Sequence, residues 1–158
     1  VGERETEQGA DAPRSPFPPR GRLLGVDVGT VRIGLAVCDP DRLVASAVET
    51  YTRRTPGLDA EHFRRLAAAE KAVGWVVGLP VMLDGTEQTK ARECRAFGAW
   101  LGESTGLPVA FWDERFTSSL AEDALRTANV HWKKRRDKRD RIAAQMILQG
   151  YLDAGGPP

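Results

Sequence analysis

An α/β fold, with a five-stranded mixed sheet flanked by helices, is what this sequence predicts, and three observations carry the prediction. Apolar residues over 23–28 and 31–37, interrupted by Gly29-Thr30, read as two antiparallel strands joined by a tight glycine turn. Short apolar runs at Trp75–Leu79, bounded by Gly74 and Pro80, and at Val109–Trp112 read as strands buried on both faces, as parallel pairing requires. Between and after them, apolar residues recur at helical spacing, so the later connections are crossovers and the sheet is mixed. Such a sheet leaves strand ends free to form a site.

Length and charge bound the answer. A chain of 158 residues fits one domain able to bury a core without staples. The formal net charge is +1, so whole-chain electrostatics neither favour nor exclude nucleic acid, and local charge must carry that argument. Cys38 and Cys94 have no zinc-like spacing and are expected to be reduced, structural thiols. No apolar run approaches a membrane span and no secretory segment is recognisable, which predicts a soluble cytoplasmic protein without a membrane partner.

Residues 1–20 are polar and then proline-rich (Pro13, Pro16, Pro18, Pro19), and are expected to be a disordered tail. The domain is expected at 21–154, followed by a short tail at 155–158. In the first strand Leu24, Val26 and Val28 share one side, while Leu23, Gly25 and Asp27 share the other. An acid in that position is costly without a compensating partner, and Gly25 and Gly29 leave backbone space beside it. A metal or phosphate role for Asp27 follows more readily than a surface turn.

Cys38-Asp39-Pro40-Asp41 is a turn signal, and Leu43–Tyr51 reads as a third strand. A helix is expected over about 59–73, with Phe63, Leu66, Ala67 and Val73 on its apolar face and His62 in its first turn facing solvent. The next helix enters after a loop in which Asp84 or Thr86 is the expected cap, and its apolar stripe runs through Ala91, Cys94 and Leu101. Lys90, Arg92 and Arg95 read as ordinary solvated charges on it. Thr117-Ser118-Ser119 would cap a further helix, with Ala121, Ala124, Leu125 and Ala128 on its buried face. The last helix is expected from about Asp140 to Leu152, because Asp140, Ala144, Ile147 and Tyr151 share one face.

Three acidic positions, distant in sequence, share a topological character. Asp27 lies near the end of the first strand, Asp113-Glu114 ends a parallel strand, and Asp140 opens a helix that must pack back on the sheet. Converging carboxylates repel unless cations neutralise them, and hard oxygen ligands suit Mg²⁺ or Mn²⁺. Strand alternation puts Asp113 and Glu114 on opposite sides, so one of them reaches such a centre; Asp137 and Asp140 are three apart and both can face it if the helix starts early. Beside these acids, 131–141 carries a dense basic run: Lys133, Lys134, Arg135, Arg136, Lys138, Arg139 and Arg141, with Trp132 available to stack on a base. Thr30, Arg32 and Arg115 flank the acidic positions as further candidates for substrate contact.

The segments Leu24-Gly25-Val26-Asp27-Val28-Gly29, Val77-Gly78-Leu79-Pro80, Asp84-Gly85-Thr86-Glu87-Gln88, Asp113-Glu114-Arg115 and Lys138-Arg139-Asp140 with Ala143-Ala144 together resemble the YqgF/RuvX family. That resemblance implies a ribonuclease H-like domain related to RuvC-type resolvases, and a nuclease maturing the 5′ end of the 16S ribosomal RNA precursor. Some members are linked instead to Holliday junctions in branched DNA. It carries catalytic and metal-binding roles to Asp27, Glu114 and Asp140, with Asp113 and Asp137 as further metal candidates and Mg²⁺ or Mn²⁺ as the cofactor. Arg139 departs from the family pattern, which often has an apolar residue before the last acid. Nucleic-acid contacts are expected from Thr30, Arg32, Arg115, Trp132, Lys133, Lys134, Arg135, Arg136 and Lys138. Structured RNA or branched DNA is the expected partner, for a monomer or a homodimer. Two other classes compete: a nucleic-acid-binding protein that has lost catalysis, and an actin-like or sugar-kinase phosphotransferase, for whose two-domain nucleotide site the chain is short.

Overall fold

Why the first strand lies at the centre follows from its neighbours: it must pair with its own hairpin partner on one side and a crossover strand on the other. The computed structural model of the chain describes residues 15–80, 87–114 and 132–157, with backbone alone for 132–137. The elements in chain order are β1 (Arg22–Val28), β2 (Arg32–Cys38), β3 (Ala45–Thr52), α1 (Pro56–Glu70), β4 (Ala72–Leu79), α2 (Thr89–Thr105), β5 (Val109–Asp113) and α3 (Trp132–Asp153). The sheet order is β3-β2-β1-β4-β5. β1 pairs antiparallel with β2 and parallel with β4, and β4 pairs parallel with β5. The five-stranded mixed sheet expected from the sequence is the one observed.

Side-chain alternation divides the apolar residues between two faces. Leu24, Val26 and Val28 join Phe63, Trp75, Phe97 and Leu101 in a core under α1 and α2. Leu23, Ala36, Val76 and Ala110 join Ala144, Ile147, Leu148 and Tyr151 in a second core under α3. The two differ in thickness. On the α3 side Gly25, Gly34 and Gly78 face the helix: a Cβ on Gly34 would lie 1.9 Å from the Asp140 carbonyl oxygen, and one on Gly25 would lie 2.8 Å from Leu148 Cβ. The helix therefore rides directly on the backbone of β1 and β2, and its N-terminal half is carried to the edge where β1 ends.

Several boundaries differ from expectation, each for a local reason. α1 starts at Pro56 because Thr55 caps it, its side chain accepting a hydrogen bond from the Leu58 amide at 3.2 Å. β3 starts at Ala45 because the amides of Leu43 and Val44 are taken by Asp39 Oδ1, at 2.8 and 2.7 Å. α3 begins at Trp132, well before Asp140. Lys and Arg are good helix formers, whereas apolar periodicity marks only the part of a helix that packs. Its end is closed by Gly155 and Gly156 at positive φ, with the Gly156 amide donating to the Tyr151 carbonyl at 3.0 Å.

The tail expected to extend to residue 20 is shorter than that. Phe17 is buried, packed edge-on against Tyr151 with ring centroids 5.9 Å apart and seated where Gly74 has no side chain. One aromatic ring over a glycine is enough to dock 15–20; residues 1–14 lie outside the described part. His62 also departs from expectation. It is half-buried, stacked on Tyr51 at 4.0 Å and paired with Glu49 Oε2 at 2.8 Å, because β3 supplies partners that spacing along α1 does not reveal. The caps expected at Asp84 or Thr86, and the helix expected after Thr117-Ser118-Ser119, lie outside the described residues. Both cysteines are free and buried, as expected.

Candidate active site

Asp27 stands on the α3 side of the central strand, opposite Gly34 in the β1–β2 register. Its carboxyl is pushed up to about 6, first by burial and then by the charge of Asp140, while Lys90 and Arg139 pull the other way. Glu114 follows the last residue of β5. It leans over the bare backbone of Gly78, where a Cβ would come within 3.1 Å of Glu114 Cγ and Cδ. Its carboxyl is pushed up to about 7, again by burial first, then by Asp27, with Lys90 opposing and Asp113 adding to the rise. Asp140 enters on α3 and is held by an ion pair, Arg32 Nε to Asp140 Oδ2 at 2.9 Å. Asp27 thus feels the charge of Asp140, and Glu114 that of Asp27, so the three acids are linked through the central strand.

The local sequence explains each placement. Alternation along β5 sets Val109 and Phe111 on the α1/α2 side and Ala110 and Trp112 on the α3 side. Asp113 continues the first series, while Glu114 continues toward Asp27. Asp140 reaches the edge because Gly34 lets its backbone approach. Arg32, expected to contact substrate, is engaged with Asp140 inside the acidic site. Thr30 is exposed at the β1–β2 turn, and Lys138 is exposed on α3. Arg115 lies outside the described residues, as do the side chains of Trp132, Lys133, Lys134, Arg135, Arg136 and Asp137.

Lys90 is the residue that reading the sequence passed over. It begins α2 on the opposite layer, yet its charge acts on Asp27, Glu114 and Cys94 together. A signal was present: a lysine in a first turn that carries no acid runs against the helix dipole. The Asp27–Glu114 pair supplies the opposing charge.

As a donor set for a divalent ion, the chemistry fits. The available atoms are carboxylate oxygens, the ligands hard cations prefer, and Asp27 and Glu114 are held above the normal carboxyl range first by burial and then by a neighbouring acid, both of which a bound cation would offset. Among the described residues, no three His, Cys, Asp or Glu side chains stand at metal-binding spacing. Asp140, the third acid expected from the sequence, is paired with Arg32.

The relationships of the chain agree with this geometry. A family model described as "RuvX: Holliday junction resolvase" matches residues 21–154. A protein of Rhodopirellula baltica named as a candidate pre-16S rRNA nuclease is 48% identical over 138 residues, covering 87% of this chain and 80% of that one. One of the same name from Bradyrhizobium sp. (strain ORS 278) is 44% identical over 137 residues, covering 87% and 85%. Among solved structures, Thermus thermophilus RuvC bound to a Holliday junction superposes with a TM-score of 0.55 at 15% identity, over 87% of this chain and 98% of that one. The yeast mitochondrial Holliday junction resolvase Ydc2 gives 0.50 at 11% identity, over 96% and 85%. The two structures share the ribonuclease H-like fold with this chain, and at such identities they show the fold alone. With the family model matching nearly all of the described domain and relatives sharing more than two residues in five, the chain belongs to the YqgF/RuvX family.

Proposed function

We propose that this protein is a nuclease that hydrolyses phosphodiester bonds in the precursor of 16S ribosomal RNA, with Asp27, Glu114 and Asp140 as its catalytic carboxylates. The observation that carries the reading is the gathering of Asp27, Glu114 and Asp140 from distant parts of the sequence, with Glu114 seated over Gly78 beside Asp27, Asp140 brought in over Gly34, and the Asp27 and Glu114 carboxyls raised first by burial and then by a neighbouring acid. Acids are kept in such a place when their task needs it. The names of relatives at 48% and 44% identity support the choice of RNA.

Asp27 and Glu114 would hold Mg²⁺ or Mn²⁺, joined by Asp140 when Arg32 lets it go, with Asp113 and Asp137 as further candidates. When bound, the ion supplies Lewis-acid stabilisation of charge developing on the phosphate. Everything else falls to the chain. Both carboxylates are half-buried, and this partial withdrawal from solvent strengthens their attraction for a cation. Arg32 orients Asp140 through one hydrogen bond, and Lys90 offsets the negative charge that would otherwise repel a polyanion. The substrate backbone would be held by Thr30, Arg115, Lys133, Lys134, Arg135, Arg136 and Lys138, with Trp132 stacking on an unpaired base. Action in the cytoplasm, as monomer or homodimer, goes with this reading; among the described residues no helix is long and apolar enough to cross a membrane.

A second reading, resolution of branched DNA, is favoured by the family's description and by the RuvC-like fold. A side-by-side cleavage assay on precursor 16S RNA and a four-way DNA junction, with Mg²⁺ and with Mn²⁺, separates the two. The precursor RNA is the substrate expected to be cut. Asp27→Asn is expected to reduce cleavage by more than about 100-fold, since even groups that merely support a metal ligand cost 10–100-fold. Unchanged metal-dependent turnover in that variant removes Asp27 from the mechanism, and binding without cleavage by the natural chain makes the protein a non-catalytic binder.

A further inference from the structure

Asp27 and Val28 are consecutive residues on opposite faces of the same strand. The first stands in the acidic site, while the second lines a groove of about 790 Å³ on the α1/α2 side. The groove runs from the β1–β2 turn, Gly29 to Val31, past Arg53, Arg54 and Lys90, to Phe97 and Trp100 on α2. Its walls combine two kinds of surface. Trp100 is tilted against Phe97 with ring centroids 5.4 Å apart and meets Phe63 edge-on at 6.1 Å, so it is a fixed platform that is only half-buried. Arg53 lies over the Phe97 ring at 5.3 Å and donates to the Gly29 carbonyl at 2.8 Å, which holds its guanidinium in place beside that platform. Arg54 and Lys90 are exposed along the same walls.

Two acids, Asp59 and Glu93, stand against three cations, Arg53, Arg54 and Lys90, so the groove keeps an excess of positive charge. Asp59 is buried, and its Oδ1 already accepts from the Tyr51 hydroxyl at 2.6 Å and the Arg54 amide at 2.8 Å. Aromatic platforms alternating with cations suit one class of ligand: stacked bases joined by phosphates. A double helix does not fit such a pocket, because its bases are already stacked on each other, and the groove's volume is of the size that encloses a small organic ligand.

We propose that this groove is a subsite for single-stranded RNA flanking the scissile bond, in which an unpaired base stacks on Trp100 while Arg53, Arg54 and Lys90 hold its phosphates. The proposal rests on the nuclease reading for its substrate. Lys90 joins the two sites, since it lines the groove while its charge acts on Asp27 and Glu114. The RNA strand would leave the acidic edge over the exposed Thr30 turn and enter the groove on the far face of β1. A hairpin RNA with an unpaired extension should then bind better than the same hairpin without one, by a margin that depends on groove residues.

The test measures binding in Ca²⁺ or without metal, so that it does not depend on cleavage. Fluorescence anisotropy gives the affinity of the full chain for a labelled hairpin with a six-nucleotide single-stranded extension and for the blunt hairpin, and the quantity read is their ratio. The natural chain is expected to favour the extended RNA, and Trp100→Leu is expected to lower the ratio about 10-fold, the loss typical of one base–aromatic stack. Arg54→Gln, a change at an exposed side chain, is expected to lower it by a smaller factor and to reduce its dependence on salt. A misfolded variant loses affinity for both hairpins together, and Arg54→Gln then supplies the ratio. A natural chain with equal affinity for both RNAs, or a ratio untouched by either substitution, overturns the subsite. Failure of precursor cleavage with the ratio as expected overturns the nuclease reading and leaves the groove standing.

Discussion

The two faces of the sheet are built on opposite terms. Under α1 and α2 the contacts are large rings: Phe63 alone meets Tyr51, Trp75, Phe97 and Trp100 with centroids between 5.4 and 6.1 Å. Under α3 a second core around Ile147, Leu148 and Tyr151 is joined by close approach of the helix to the glycine backbone of β1, β2 and β4. Bulk on the first face buries apolar area and supports the fold. Absence of bulk on the second brings Asp140 to the edge of β1 and gives Glu114 room above Gly78, at the cost of forcing acids together. Stability and chemistry are thus lodged on different sides of one strand, and Asp27 and Val28 mark the division.

Substitutions that break this division should separate stability from activity. Phe63→Ala should be the most destabilising, by about 3–5 kcal/mol, because the ring is fully buried and four aromatic neighbours lose a partner. Urea midpoints give the value; a loss below about 1 kcal/mol would mean that the aromatic face does not carry the fold. Gly34→Ala should come next, at about 1–3 kcal/mol, the usual range for overpacking; its new methyl group meets the Asp140 backbone carbonyl and not a flexible side chain, so the helix itself has to shift. Its cleavage should fall out of proportion to its stability, as the helix that delivers Asp140 is pushed off. Equal losses by urea titration and by cleavage at a temperature where the variant is folded would show that close approach serves packing alone. Gly57→Ala is the control: nothing stands within 4 Å of the added Cβ, the site is in the first turn of α1, and a gain of about 0.4–1 kcal/mol is expected.

The acids themselves sharpen the contrast through pH. Asp27 and Glu114 have folded-state carboxyls raised from 3.8 to about 6 and from 4.5 to about 7. Between those limits the folded chain holds protons that the unfolded chain has released, so the favourable contribution is present at low pH and is lost as pH rises through the folded values. In metal-free buffer this contribution to the melting temperature should therefore fall between about pH 4 and pH 7, and Asp27→Asn should flatten the fall. Mg²⁺ or Mn²⁺ should raise the melting temperature of the natural chain at pH 7 and have a smaller effect on the variant. Differential scanning calorimetry across that range tests both; a pH profile identical for the two chains would mean that Asp27 titrates normally.

Much of this architecture was legible in the chain. Apolar alternation identified β1 and β2 and the side on which Asp27 sits, because strand periodicity follows from backbone geometry alone. The facing of Asp140 came from its register with Ala144, Ile147 and Tyr151, all of which are buried. The start of α3 was not legible, since a solvated helical turn carries no apolar period. The docking of Phe17 was not either, because its seat is made by Gly74, which belongs to a distant strand. The setting of His62 was not legible for the same reason: a ring on a helix looks solvated until another layer supplies its partner, whereas Lys90 is exposed as expected and only its nearness to the acids was hidden.

By itself, then, the sequence determined which residues alternate, which acids end strands or open helices, and which family the chain resembles, all of them properties of local geometry or of matching motifs. Only the tertiary structure decided that Glu114 lies over Gly78 while Asp113 continues the other face, that Arg32 holds Asp140, and that Lys90 serves both sides of β1. Those are contacts between elements, and their energies depend on distances through space that spacing along a chain does not encode.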